Sequence, residues 1–211
     1  MTKKLAFFIT GTDTGVGKTY VACKLIHKYV AQGQKTLGMK PVAAGSDFIN
    51  GEWRNDDVQK LIAASNVLAP IELINPYCFN APIAPHLAAE KVGVEIKIET
   101  IFKAYQQLSD LADVIIVEGA GGFLVPLNEN ETLADLTVAL DIPVILVVGI
   151  KLGCINHSLL TVEAIKARQL KLHGWVANCL EPNMVALQEN IATIANRLQM
   201  APMLTCRADA A

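Results

Sequence analysis

Near the start of the chain, Gly11-Thr12-Asp13-Thr14-Gly15-Val16-Gly17-Lys18-Thr19 joins an apolar run to a segment of helical spacing. In such a strand–turn–helix context, small residues let backbone N–H groups turn inward, and the helix N-terminus adds a partial positive charge. That combination is a cradle for phosphate. Within it Lys18 is expected to reach the β- and γ-phosphates of a nucleotide, and the Thr19 hydroxyl to hold Mg²⁺. The strict GxxxxGK[ST] spacing is missed at one position, because Thr12 stands where its first glycine would be. A second cation, Lys40, ends the apolar run from Thr36 and precedes Pro41-Val42-Ala43-Ala44-Gly45-Ser46. Strand ends at the carboxyl edge of an open α/β sheet face the ligand crevice, which aims Lys40 at the γ-phosphate or at a carbamate. The competing reading is a solvated lysine capping a strand.

The acids complete the set. Asp113-Val114-Ile115-Ile116-Val117-Glu118 is an apolar run that ends in a carboxylate, followed by Gly119-Ala120-Gly121-Gly122. An acid so placed lies beside a Thr19-bound metal, and the glycines permit close backbone approach. Asp57, in Arg54-Asn55-Asp56-Asp57, is the second acid, although the helix dipole alone also favours an acid where a helix opens. From position alone Thr19 and Glu118 are the expected metal-binding residues, and Asp57 is the weaker candidate.

Elements must position these groups. The runs Leu5–Thr10, Thr36–Lys40, Asp113–Glu118, Pro143–Gly149 and Gly174–Asn178 are rich in Val, Ile and Phe without alternation, as parallel strands covered on both faces are. Between them, helical spacing occurs over Lys18–Gln32, Asp56–Ala64, Ile98–Leu108, Leu133–Leu140, Asn156–Gln169 and Val185–Leu198. In the first of these Val21, Ala22, Leu25, Ile26 and Tyr29 form one stripe, and Gly33 stands where a helix-ending glycine belongs. Alternating strands and helices imply right-handed crossovers and an α/β, doubly wound, mostly parallel sheet of the P-loop NTPase kind. No repeat or linker divides residues 1–211, so one domain is expected. The stretch Ile71–Val94, with Pro76, Pro82 and Pro85, reads as an ordered binding loop with a short helix after Pro85.

Composition narrows the function. The chain has 211 residues, 52% hydrophobic and 18% charged, with a net charge of −2 and its basic residues scattered among acids. Nothing there suits a nucleic-acid partner. The first apolar run is too short for a signal peptide, and Pro143–Ile150 falls far short of the roughly 20 apolar residues of a membrane span. A soluble, cytoplasmic protein without membrane association is expected. Cys23, Cys78, Cys154, Cys179 and Cys206 form no CxxC pair, so reduced thiols are expected rather than a zinc site or a disulfide framework.

Several kinds of P-loop protein remain to be weighed. Switches of the ParA and MinD kind carry a lysine early in the loop, in the pattern KGGxGKT, and that position here holds Asp13. Guanine-nucleotide switches show an NKxD motif, which is absent. An amidoligase acting on a larger cofactor precursor would bring a glutamine-hydrolysing domain, for which the chain is too short.

The motifs together resemble the dethiobiotin synthetase family. They are Gly-Thr-Asp-Thr-x-Val-Gly-Lys-Thr at 11–19, Lys-Pro-Val-Ala at 40–43, Arg-Asn-x-Asp at 54–57 and Val-Glu-Gly-Ala-Gly-Gly at 117–122, then Pro-Val-Ile-Leu-Val-Val-Gly at 143–149, Lys-Leu-Gly-Cys-Ile-Asn-His at 151–157 and Gly-Trp-Val-Ala-Asn at 174–178. They run in family order to about Leu204. The resemblance implies an ATP-dependent ligase that closes 7,8-diaminononanoate with CO₂ to dethiobiotin, through a carbamate phosphorylated by MgATP. It implies that Lys40, Lys18 and Thr14 are catalytic, and that Gly15, Val16, Gly17, Lys18, Thr19 and Tyr20 hold the nucleotide's phosphates. Asp57, Glu118, Gly119, Ala120 and Gly121 are implied around the metal and phosphates, with Asn178 and Cys179 at the adenine. It further implies a homodimer with the substrate at the interface, where Gly153, Cys154 and Asn156 serve the partner's substrate carboxylate through backbone donors. Spacing alone reads the same loop as a turn with an N-cap at Asn156, and His157 as packing. At Ala44 the family often has serine, with Ser46 here as the nearby hydroxyl. After Leu204, Thr205–Ala211 departs from the family's base-contacting loop and helix, making a C-terminus shorter than usual for the family.

Overall fold

The computed structural model describes residues 4–49, 51–181 and 183–207. In chain order the elements are β1 (Leu5–Gly11), α1 (Lys18–Ala31), β2 (Thr36–Met39), β3 (Val42–Ala44), β4 (Asp47–Ile49), β5 (Glu52–Arg54), α2 (Asp56–Ala64) and α3 (Ile71–Ile74), then β6 (Tyr77–Phe79), α4 (Pro85–Lys91), α5 (Ile98–Leu111) and β7 (Val114–Gly122). They continue with α6 (Leu133–Leu140), β8 (Val144–Gly149), α7 (Cys154–Ala167), β9 (Leu172–Cys179), α8 (Leu187–Leu198) and β10 (Leu204–Arg207).

Six strands form a parallel sheet in the order β10-β9-β8-β1-β7-β2. Helices cover both faces, which is why the strand sequences are apolar at consecutive positions. On β1, Phe7 and Ile9 point into the layer shared with Val21, Leu25 and Ile26 of α1 and Leu61 of α2. Phe8 points the opposite way, among Ile101, Ala104 and Leu108 of α5 and Leu133 and Leu136 of α6. The same split recurs on β8, where Ile145 and Val147 join the first layer. Leu146 and Val148 join Val162 of α7, Trp175, and Ile191 and Ile194 of α8. The α1 stripe read from spacing is the buried one, and Gly33 follows it at φ 78°. At Gly38 the layers meet closely: a Cβ there would lie 2.9 Å from Ile26 Cδ1 and from Leu61 Cβ.

Expected strand centres and helices are all present, with differences that have local causes. The Ile71–Val94 stretch holds the expected helix after Pro85, but also α3 and β6, and β6 pairs in parallel with β3. Three-residue strands are too short to show a period, and β4 with β5 escaped notice for the same reason. Edge strand β10 has only Leu204 and Cys206 as apolar residues. The N-cap expected at Asn156 is overturned: α7 begins at Cys154 after Gly153, whose φ of 90° makes the turn, and Asn156 lies inside the helix. Helix α8 opens at Leu187, not Val185, because Ala186 adopts a left-handed conformation. The last four residues of the divergent C-terminal stretch lie outside the described residues.

The strand order reverses direction around β1. The chain runs from β1 outward to β2, returns to β7, then crosses to β8 on the other side, so a crevice opens at the carboxyl end of β1.

Candidate active site

The phosphate turn leaves β1 through an irregularity in the pairing with β7 between Ile9 and Gly11. Gly11 is required by packing: a Cβ there would lie 2.6 Å from Val16 Cγ2. Val16 is fully buried and also abuts Gly149 at the end of β8, so its side chain anchors the turn into the core. The Thr12 N–H donates to Val147 O at 3.0 Å. Thr12 is not among the residues with positive φ, whereas Gly15 and Gly17 adopt 72° and 89°. The glycine requirement thus falls at positions 15 and 17, and threonine at 12 costs nothing. Gly17 takes the N-cap position of α1 with no side-chain cap, which leaves the first N–H groups of the helix open to an anion.

Lys18 is buried, and its Nζ folds back over the turn to donate to Asp13 O at 3.0 Å. Burial and then the nearby Lys40 charge pull its pKa down to about 8. A triphosphate would supply the negative charge this ammonium lacks. Asp13 ties the turn together: its carboxylate accepts from Thr14 N–H at 2.7 Å and from Lys151 Nζ at 3.0 Å. The Lys151 bond, then the Thr14 amide, holds its pKa below the usual carboxylate value.

Lys40 follows β2 and is buried, 4% exposed, so the reading of it as a solvated strand cap is excluded. Its Nζ lies 2.6 Å from Glu118 Oε1 and 2.9 Å from Asp57 Oδ2. Burial opposes its charge, but Glu118 and then Asp57 more than offset this, and its pKa is raised. Burial likewise pushes the Asp57 carboxyl up, and the Lys40 ammonium outweighs that to leave it lowered. Thr19 Oγ1 donates to Glu118 Oε1 at 2.8 Å, so helix α1, strand β2 and strand β7 meet on one carboxylate oxygen. Glu118 Oε2 is buried with no hydrogen-bond partner among the described residues. Buried lone pairs are seldom left so unless an ion or water completes them.

Two asparagines to which the sequence reading gave no role hold this cluster. Asn55 caps α2, accepting from Asp57 N–H at 3.1 Å and Val58 N–H at 3.4 Å, while its amide reaches Ala44 O at 3.3 Å. It thereby sets Asp57 against Lys40. An asparagine before two acids and an apolar helix is the signal that would have found it. Asn75 donates to Lys40 O at 2.6 Å and Lys40 N–H donates to Ile74 O at 2.9 Å, which fixes the lysine backbone. No local pattern marks Asn75.

A cleft of about 740 Å³ is lined by Thr14, Gly15, Gly17, Lys18, Thr19, Tyr20, Lys40, Ala44, Asp57, Glu118, Ala120 and Gly121. Pro82, Ile83, Ala84 and Pro85 wall its far side, the use expected for the proline-rich stretch. Tyr20 stands at the rim, 46% exposed, with Lys24 Nζ 4.9 Å from its ring centroid. Gly119 packs on the Phe8 ring, and its carbonyl faces Lys40 Nζ at 3.5 Å. Ser46 is buried with its hydroxyl against the Cys78 thiol and does not line the cleft. Asn178 and Cys179 end β9 behind the phosphate turn. Gly153, Cys154 and Asn156 lie outside the cleft of their own chain. The Cys154 side chain is buried in the α7–α8 layer, and its amide donates to Lys151 O at 3.0 Å. That spends one expected backbone donor within the turn.

The site thus sets a glycine-rich turn beside two buried ammonium groups, the Thr19 hydroxyl and the Asp57 and Glu118 carboxylates, and these last three are an oxygen-donor set suited to a hard divalent cation. Among the described residues no cluster of three or more His, Cys, Asp and Glu offers a competing metal centre.

Comparison with known proteins bears on the chain as a whole. A family model described as AAA domain matches residues 6–206. The ATP-dependent dethiobiotin synthetase of Aromatoleum aromaticum is 52% identical over 97% of this chain and 90% of its own length. That of Nitrosospira multiformis is 53% identical over 91% of this chain and 83% of its own. Among solved structures, a ParA family ATPase from Chlorobium tepidum covers 99% of the chain and 86% of its own at TM-score 0.62 and 15% identity. MinD in its complex with MinC from Aquifex aeolicus covers 97% and 82% at TM-score 0.60 and 16% identity. Those two share the P-loop NTPase-like α/β fold.

Proposed function

The chain belongs to the ATP-dependent dethiobiotin synthetase family, and from that premise we propose which of its residues do the work. The activity is the ATP-dependent ring closure of 7,8-diaminononanoate with CO₂ to dethiobiotin, a ligase step of biotin biosynthesis. CO₂ adds to one amine to give a carbamate. A carbamate oxygen attacks the γ-phosphorus of ATP and ADP leaves. The second amine then attacks the carbamoyl carbon, the ureido ring closes and phosphate departs.

A carbamate is a poor electrophile, so the enzyme's task is to gather positive charge where the phosphoryl group is transferred. Lys18 reaches the β- and γ-phosphates from the turn. Lys40 faces the γ-phosphate and the carbamate from the opposite wall, and Thr14 with the inward amides from Gly15 onward completes the cradle. Thr19, Asp57 and Glu118 fit Mg²⁺, and the orphaned Glu118 Oε2 supports that reading. Bound there, Mg²⁺ neutralises the phosphate oxygens. Ala44, on the cleft wall beside Lys40, contacts the diamine.

The observation that carries the reading is the convergence of Lys40 and Thr19 on Glu118 at the mouth of the phosphate turn. Two chains associate with the substrate between them, each lending the Gly153–Asn156 turn to its partner's diamine. Supporting this, Leu152 and Leu160 beside that turn are 93% and 61% exposed, the kind of apolar surface that association covers. The base is held beside Asn178 and Cys179. No helix of the described residues is long and apolar enough to cross a membrane, and we place the enzyme in the cytoplasm. Isotopically labelled bicarbonate tests the chemistry: the label should appear in the ureido carbon of the product, and an unlabelled product would reject this route.

A further inference from the structure

Asn178, buried behind the phosphate turn, is held by its backbone. Its carbonyl accepts from Ile150 N–H at 2.8 Å and from Leu180 N–H at 3.1 Å, and its Cα is in register with Gly149 on β8 and Cys206 on β10. From this fixed point the buried carboxamide reaches back into the phosphate turn, and Nδ2 donates to Val16 O at 2.9 Å. The same nitrogen lies against Gly17, where a Cβ would fall 2.1 Å away. A trans peptide is planar, with its C=O and N–H pointing in opposite directions. Holding the Val16 carbonyl outward on Asn178 therefore turns the Gly17 N–H inward, toward the cleft that Gly17 lines.

We propose that Asn178 is a positioning residue for phosphoryl transfer: it clamps the Val16–Gly17 peptide so that the cradle presents its amide to phosphate before nucleotide arrives. This goes beyond the base contact assigned above and rests on residues 11–19 being the phosphate cradle. It also explains why position 17 must be glycine twice over, through its φ of 89° and through the carboxamide pressed against it. One Nδ2 proton is spent on the turn, so any base is read with the remaining proton and Oδ1. Base recognition and phosphate grip then share one side chain.

The test uses the full chain and a ligand without a base. Inorganic tripolyphosphate with Mg²⁺ is titrated into wild type and Asn178→Leu, which keeps side-chain bulk and loses the donor. In parallel, hydrogen–deuterium exchange is followed over residues 12–17 without ligand. We expect about tenfold weaker tripolyphosphate binding, the scale of one net hydrogen bond. We also expect faster exchange confined to the turn, a localisation that general loosening of β9 would not produce. Asn178→Ser, whose hydroxyl is too short to span to Val16 O, should behave alike and serves if the leucine variant does not fold. Unchanged tripolyphosphate affinity and exchange, with only ATP weakened, would overturn the clamp and leave a base contact alone. Failure of the wild type itself to bind tripolyphosphate would instead remove the cradle reading, and the clamp with it.

Discussion

Lys40 Nζ lies 2.6 Å from Glu118 Oε1, a buried ammonium against a buried carboxylate, each reached by the chain from a different strand of the same sheet edge. Buried pairs of this kind contribute little net stability but are costly to break, because the surviving charge is left without a partner. Here the surviving charges would be the two acids proposed to bind metal.

Replacing Lys40 by methionine should therefore abolish turnover while nucleotide still binds at the turn. It should also destabilise the metal-free protein by on the order of 3 kcal/mol, since Glu118 loses its counter-charge while the partly exposed Asp57 is screened by water. Mg²⁺ should restore part of the lost melting temperature. Turnover above a tenth of wild type, or no Mg²⁺ response, would contradict this role; steady-state kinetics and thermal melts with and without Mg²⁺ decide it.

Lys18 predicts a pH dependence. Its pKa in the empty cradle is about 8, and phosphate binding favours the protonated form. Nucleotide affinity should be flat below that pH and fall above it, with proton uptake on binding in alkaline buffer. Calorimetry in buffers of different ionisation enthalpy reads the uptake. The linkage to folding has the opposite sign: between about 8 and the unfolded value of 10.5 the unfolded chain binds more protons, so this group's contribution to stability rises with pH.

Glu118→Gln should weaken Mg²⁺ binding at its source. The amide keeps the volume but removes the charge; with its oxygen still accepting from Lys40 and Thr19, it puts an NH₂ donor where the unpartnered Oε2 now stands. The Mg²⁺ concentration for half-maximal activity should rise at least tenfold, by analogy with the loss of one charged ligand contact worth about 1.5–3 kcal/mol. An unchanged Mg²⁺ dependence would move the metal elsewhere.

Much of this was legible in order along the chain, and the exceptions have physical reasons. The turn at 11–19, Glu118 after its apolar run, and the helix at α1 carry local signals: glycine spacing, a strand-ending acid and a 3.6-residue stripe. Asn75 carries none, and Lys151 is marked only as the first residue of the 151–157 motif, not as a partner of Asp13. Each acts on a residue far away in sequence, Lys40 and Asp13, through a contact that only the tertiary fold creates. The burial of Lys40 was hidden likewise, since a lysine beside proline reads as exposed until β7 and α2 bring acids to it. The missed start of α7 arose from reading Asn156 as a cap when Gly153 had already turned the chain.

Gly38 tests the sheet itself. A Cβ there would meet Ile26 and Leu61 at 2.9 Å, where α1 and α2 close on β2. Gly38→Val should cost about 1–3 kcal/mol through overpacking, measured by urea unfolding. A neutral result would mean that these helices sit farther from β2 than described.

Association should be required for substrate but not for nucleotide. On dilution, specific activity should fall in step with loss of dimer by size exclusion, while ATP binding persists. Full activity in a monomeric sample would show that the Gly153–Asn156 turn serves no partner.

On the proposed reading, Lys18, Lys40 and the Thr19–Glu118 pair together hold a triphosphate beside a carbamate. ADP release with diaminononanoate and bicarbonate each omitted in turn measures it most directly. Release should appear only when both are present and should vanish in Lys40→Met. Equal release without the diamine would contradict the claim outright.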